Sequence, residues 1–113
     1  MLDALSDSLE RYMDLLSARQ KLVVSNIANA DTPGYKTRDI DFSEEFRNAI
    51  DPSRPQVAEV SGLKTKNDGN NVNLDRESRL LSENDIRFSV ATNLLKSRLK
   101  TLRAAIDGGS ATG

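Results

Sequence analysis

The chain has 113 residues, with no cysteine, histidine or tryptophan and a formal net charge of −1. Without thiols or imidazoles it offers no disulfide, no zinc site with the usual sulfur and nitrogen ligands, and no Ser-His-Asp or Cys-His nucleophile. Aromatic residues make up 4%, too few for the stacking platform that single-stranded nucleic acid requires.

Hydrophobic residues are 37% of the chain and charged residues 29%, with Leu, Ile, Val and Phe supplying 28 of the 113 positions. That is enough apolar material for helical seams and too little for a thick core, a composition that suits coiled coils or subunits that complete their burial in an assembly. No catalytic, metal-ligating or cofactor-binding set is predicted, and no cofactor. The first 30 residues lack the basic and apolar regions of a cleaved signal peptide, and no run approaches the roughly 18 apolar residues of a membrane span.

Residues 1–30 contain neither Gly nor Pro. Apolar residues at Leu2, Leu5, Leu9, Tyr12, Leu16, Val23 and Ala30 follow a 3,4 alternation interrupted by Arg19 and Asn26, the spacing of a helical seam. Leu15, Leu22 and Ile27 lie beside that line and widen the apolar face.

Residues 31–72 hold all three prolines together with Gly34, Gly62 and Gly69, and read as a loop-rich middle with at most a short helix or hairpin. Asp41 or Ser43 is placed to cap a short helix carrying Phe42, Phe46, Ala49 and Ile50, which Asp51-Pro52-Ser53-Arg54-Pro55 stops. A short extended stretch is expected within Val57 to Lys64. Lys66 to Asn71 reads as a turn or mobile loop, without the ligand alternation of a calcium loop.

Residues 73–107 form the second long helix, with a stripe through Leu81, Phe88, Ala91, Leu95, Leu99, Leu102 and Ile106 and with Leu80, Val90 and Leu94 beside it. A flexible tail is expected over residues 108–113. At 1.5 Å per residue the two helices are about 45 and 50 Å long, matched closely enough to pair along their whole length. The predicted fold is therefore all-α, an antiparallel coiled-coil hairpin in which Leu5, Leu9, Tyr12, Leu16 and Val23 face Leu81, Phe88, Leu95, Leu99 and Leu102. Arg19, Asn26 and Asn84 are polar residues on or near the seam, suited to setting register or partner choice. A hairpin of this kind leaves half of each apolar face uncovered, so self-assembly or docking on another helical protein is expected.

The acids Asp39, Asp41, Glu44 and Glu45 have no accompanying base or phosphate loop and read as solvated surface. The last helix carries four acids and seven bases over residues 73–106, and Lys96, Arg98, Lys100 and Arg103 follow the acids Asp75, Glu77, Glu83 and Asp85, an order that complements the helix macrodipole. Its sharper reading, a basic helix for nucleic acid or anionic lipid, rests on only four bases between Lys96 and Arg103.

The exit from the first helix carries the most specific string, Asn26-Ile27-Ala28-Asn29-Ala30-Asp31-Thr32-Pro33-Gly34-Tyr35. Asn29 and Asp31 suit a helix end, Pro33-Gly34 suits the centre of a type II turn, and Tyr35 leaves the turn as a large anchor with a polar tip. The string resembles the N-terminal signature of the bacterial flagellar axial proteins, with Asn26, Ala28, Asn29, Ala30, Thr32, Pro33, Gly34 and Tyr35 matching directly. Asp68-Gly69-Asn70-Asn71-Val72-Asn73-Leu74-Asp75-Arg76-Glu77, leading to Leu81 and Asn84, is similar to the start of the C-terminal helix in the proximal-rod branch of the basal-body rod family. Ser78 and Asp85 depart from that pattern without disturbing the apolar stripe.

The resemblance implies a structural, non-enzymatic subunit whose terminal helices pack as a coiled coil and stack into the hollow rod. That rod transmits torque and serves as an export channel. It implies FlgC-like rod subunits, a FliE-like adaptor and the MS ring as neighbours, and a periplasmic position in the basal body. Export through the flagellar type III apparatus needs no cleaved signal peptide. The motif residues Asn26, Ala28, Asn29, Thr32, Pro33, Gly34 and Tyr35 would direct the chain out of the coiled coil toward a neighbouring subunit. A helical-hairpin adaptor or chaperone that binds partner helices is the alternative reading of the same pattern.

Overall fold

Asp3 starts the first helix. Its backbone is extended and its carboxylate accepts a 2.7 Å hydrogen bond from Ser6 N–H, satisfying one of the donors that a helix N-terminus leaves free. A computed structural model describes residues 3–48 and 54–112, with side chains through Gly108. Leu2 of the first stripe, Ala49 and Ile50 of the short helix, and the Asp51-Pro52-Ser53 stop lie outside the described residues.

Helix α1 spans Ala4–Ala28 and helix α3 spans Leu74–Thr112. Between them lie strand β1 (Arg38–Asp39), the seven-residue helix α2 (Phe42–Asn48) and strand β2 (Ala58–Glu59). The strands pair antiparallel, Arg38 opposite Glu59 and Asp39 opposite Ala58. Of the two candidate caps for α2, Asp41 is the one used, accepting from Glu44 N–H at 3.1 Å. Asn73 does the same for α3, accepting from Arg76 N–H at 3.0 Å.

The long helices run antiparallel, as contacts from end to end establish: Asn26 with Glu77, Gln20 with Asn84, and Asp3 with Arg98. The molecule is elongated, 72 × 25 × 17 Å. No described helix is long and apolar enough to cross a membrane.

Two sequence expectations need correction. The helices are not matched: α1 has 25 residues and α3 has 39, about 37 and 58 Å. Nor does the helix end at residue 107, because α3 continues through residues 108–112. Gly108 stays out of the left-handed region that would turn the chain out of the helix. Since Arg98 already meets the N-cap Asp3, the last turns of α3 project past α1.

The core is thin and sits off the predicted line. Leu15, Leu16, Val23, Ile40, Leu80 and Ala91 are its buried apolar members. Leu9, Tyr12, Leu81, Leu95 and Leu102 are half-buried. Leu5, Phe88 and Leu99, expected in the interface, are 52%, 38% and 37% exposed. Leu15 and Leu80, which the pattern set beside the seams, are buried instead.

The middle segment explains Leu15. This residue lies one turn from both Tyr12 and Arg19, and these hold the middle segment against α1. Tyr12 meets Phe42 and Phe46 edge-on at centroid distances of 5.3 and 5.8 Å, and Arg11 stacks over Phe46 at 4.9 Å. Arg19 pairs with Asp39 at 2.9 Å.

Candidate assembly site at the exit of the first helix

The exit is built on one asparagine. Asn26 is 1% exposed, and its side chain makes four hydrogen bonds, the full capacity of a carboxamide. Its Nδ2 group donates to Arg38 O at 2.9 Å and to Glu77 Oε1 at 2.6 Å. Its Oδ1 accepts from the Tyr35 hydroxyl at 2.9 Å and from Arg38 N–H at 3.2 Å. One side chain thus joins α1, the turn, β1 and α3.

Asn29 closes α1. Its N–H donates to Ser25 O and Asn26 O, its Nδ2 donates to Ser25 O at 2.8 Å, and its Oδ1 accepts from Thr32 Oγ1 at 3.0 Å. Tyr35 N–H then donates to Thr32 O at 3.2 Å, and Gly34 between them has φ of +76°. That hydrogen bond and that positive φ are those of a type II turn with Pro33 and Gly34 at its centre. Tyr35 is half-buried, whereas Ala28, Thr32 and Pro33 are exposed on the outer side of the exit.

A second polar stretch, read from the sequence as a turn or mobile loop, locks onto this exit. Asn70 is fully buried, and its Nδ2 group donates at 2.8 Å to both Asn29 O and Thr32 O. Its Oδ1 accepts from Val72 N–H. Asn71 accepts from Thr37 N–H at 2.7 Å, and its own N–H donates to Tyr35 O. Gly34 N–H donates to Asp68 O at 2.9 Å. Lys66 Nζ donates to Ala30 O at 2.9 Å, bringing a cation to a helix end with no basic residue in its own last turn. Lys36 Nζ donates to Gly69 O. The clamp consists largely of side chains bonded to backbone, which is why it holds the chain path rather than a ligand.

Charges extend the network into the helix pair. Glu77 is fully buried, taking Asn26 on one oxygen and Arg76 on the other at 2.6 Å. Arg76 also reaches Asp39 at 2.7 Å, and Asp39 receives a two-point contact from Arg19 at 3.0 and 2.9 Å. Burial by itself raises the Asp39 carboxyl, but hydrogen bonds from Arg19, Ile40 N–H and Arg76 outweigh it and hold the group below its ordinary value. The acidic cluster expected as solvated surface is therefore divided: Asp39 belongs to this network, Asp41 caps α2, and Glu45 accepts from Gln56 N–H.

A depressed folded-state value sets the sign of the pH dependence. Asp39 adds stability above its unfolded value near 3.8, and that contribution is lost as the pH falls through the lower folded value. Asp39→Asn is expected to cost about 2 kcal/mol at neutral pH. The melting curves of variant and parent then converge in acid, with the parent falling more steeply below about pH 4. Circular dichroism melts across that range check both statements.

Each flank of the helix pair carries an open apolar groove. One, of about 550 Å³, lies along Leu16, Val24 and Phe88. The other, of about 450 Å³, lies among Leu5, Tyr12, Phe46, Ile86 and Val90. Ile86, Val90 and Leu94 are each more than half exposed, as two helices alone leave them. Of the polar seam residues, Arg19 and Asn26 serve the network above, and Asn84 donates to Gln20 Oε1 at 3.1 Å.

The sequence pattern of the family described as flagella basal body rod protein matches residues 13–36, from the second half of α1 through the turn to Lys36. Over 97% of this chain and the full length of the relative, the sequence is 30% identical to the flagellar basal body rod protein FlgB of Salmonella typhimurium. The chain belongs to the flagellar basal-body rod protein family. FlgB of Borrelia hermsii is 31% identical over 88% of this chain and 93% of its own length. FlgB of Escherichia coli K12 is 28% identical over 97% of this chain and its own full length.

For this FlgB-like rod protein, the family pattern covers the half of the clamp contributed by α1 and the turn. The other half, Asp68 to Asn71 and Glu77, comes from the far end of the middle segment. Sequence reasoning missed the buried roles of Asn70, Asn71 and Glu77. The available signal was the density of Asn, Asp and Gly just before α3, a composition that can satisfy backbone groups as readily as it can form a mobile loop.

Proposed function

We propose that this chain is a structural subunit of the proximal part of the flagellar basal-body rod. Its α1–α3 pair assembles with further copies and with FlgC-like subunits into a hollow helical structure that transmits torque and passes exported subunits. A FliE-like adaptor and the MS ring are its neighbours at the inner end. It occupies the periplasmic space and reaches it through the flagellar type III apparatus without a cleaved signal peptide. The observation that carries this reading is the combination of a rigidly fixed helix exit with apolar grooves left open on both flanks of the pair. A fixed exit sets the direction of the chain, and the open grooves need partner helices. Ala28, Thr32 and Pro33, exposed at the exit, are the motif residues offered to a neighbour.

Expression of the chain in a non-motile strain lacking its own proximal rod subunit is expected to restore swimming and to place the chain in isolated basal bodies. Normal expression and export without swimming would refute the assignment. Recovery of the chain only in soluble complexes, never in basal bodies, would favour a helical-hairpin adaptor or chaperone.

A further inference from the structure

Helix α1 is covered on two sides. Its Asn26, Gln20 and Asp3 bond to α3, and its Tyr12 and Arg19 hold the middle segment. The remaining side carries Asp7, Glu10, Asp14 and Lys21, which their i, i+3, i+7, i+14 spacing aligns in one stripe. On α3 a second stripe runs through Asp85, Lys96, Lys100 and Arg103, at i, i+11, i+15, i+18. Lys21 and Asp85 both line the groove beside Leu16, Val24 and Phe88, so the stripes flank the same face of the helix pair. All these residues are exposed except half-buried Glu10. Among the described residues none of them takes part in an ion pair.

The two stripes are complementary in sign and spacing. Eleven positions separate Glu10 from Lys21, and eleven separate Asp85 from Lys96. Because α1 and α3 run in opposite directions, the α3 stripe of a copy pointing the same way meets the α1 stripe with every sign reversed. When Lys21 is level with Asp85, Glu10 is level with Lys96, Asp7 with Lys100 to within one residue, and the N-cap Asp3 with Arg103. Asp14 then faces uncharged Thr92 and Asn93, and Asp75 and Asp107 fall beyond the two ends of α1. A slip of one heptad sets Asp85 against Asp14 in one direction and Asp107 against Asp7 in the other. The charges therefore select a single register.

Resting on the rod-subunit reading above, we propose that the α1 stripe of one copy docks along the α3 stripe of a second copy lying side by side and pointing the same way. Lys21 with Asp85, Glu10 with Lys96 and Asp7 with Lys100 are the pairs that cross the contact. Neighbouring copies are displaced by only about 5 Å along the long axis. The contact joins two different surfaces, so it propagates from copy to copy instead of closing as a two-fold dimer. Single exposed pairs are weak. The stripe therefore supplies orientation and register, and salt weakens it.

The chain has no cysteine, so cross-linking gives a clean test. Ser17 and Ser89 are exposed on the two stripes and come level in this register. Full-length Ser17→Cys and Ser89→Cys variants are purified separately and checked for parental helicity by circular dichroism. Each is treated with a short bis-maleimide at high concentration, alone and mixed. The mixture is expected to yield several-fold more dimer than either variant alone. Lys96→Glu with Lys100→Glu in the Ser89→Cys chain lowers that yield about tenfold, and Asp7→Lys with Glu10→Lys in the Ser17→Cys chain restores it. No excess of dimer in the mixture, or a yield indifferent to charge reversal, overturns the contact. So does preferential linkage of Ser17→Cys to Ile106→Cys, the pair that an inverted, two-fold arrangement of the same stripes brings level. Swimming cells without the 17–89 linkage remove this contact and leave the rod reading intact; linkage without complementation does the reverse.

Discussion

Asn26→Leu is expected to destabilise the fold by about 3 kcal/mol and to lower the melting temperature by on the order of 10 °C. Leucine resembles asparagine in size but makes none of its four hydrogen bonds. The loss therefore falls on the groups left behind: Arg38 N–H and O, the Tyr35 hydroxyl and, above all, the fully buried Glu77 carboxylate. Glu77 keeps Arg76, so its charge stays paired while one oxygen is stranded. This leads to a second, sharper result. Adding Glu77→Gln to Asn26→Leu costs less than the two single changes together, because the stranded carboxylate is no longer present. Strict additivity in thermal melts would mean that the two side chains are not coupled.

The second large effect is expected at Gly69. Its φ is +87°, and a Cβ added there would lie 3.3 Å from Gly34 Cα. Gly69→Ala therefore incurs left-handed strain and also pushes the two halves of the clamp apart, about 2 kcal/mol in sum. Gly34 is the internal control. Its φ is +76° and a Cβ there meets nothing within 4 Å, so Gly34→Ala is expected to cost about 1 kcal/mol from strain alone. Gly69→Ala should also weaken the Gly34 N–H to Asp68 O bond, measurable as faster amide hydrogen exchange at Gly34. A Gly34→Ala loss as large as that of Gly69→Ala would remove close backbone approach as the cause.

These two positions also mark how far the fold and the site are legible in one dimension. Gly34 is readable because Thr32-Pro33-Gly34-Tyr35 is a complete local device: proline presets one φ and glycine takes the positive one. Gly69 reads as a turn glycine too, but nothing in its neighbours reveals that another glycine lies against it. Asn26 is similar. As an interruption of the seam it is visible as a polar residue on an apolar line, yet its four partners come from positions 9, 12 and 51 residues away. Leu15 and Leu80 show the same limit in the core. Their burial depends on which side of the pair the middle segment covers, a question that helical periodicity does not address.

Composition by itself determined a protein without thiol or imidazole chemistry and with a thin apolar reserve. Periodicity determined two long helices around a loop-rich middle, and one short string carried the family resemblance. Those properties are local, set by residue type and spacing within a few turns. Only the tertiary structure decided that α3 outruns α1, that Asp39 and Glu77 join two arginines in one network, and that the stretch before α3 clamps the exit from α1. Each of these depends on groups distant in sequence meeting at hydrogen-bonding distance. A buried polar group has no preferred partner until folding removes its water. The same thin apolar reserve that excluded a large core at the outset leaves two grooves and an overhang open, surfaces of the kind a building block offers to its neighbours.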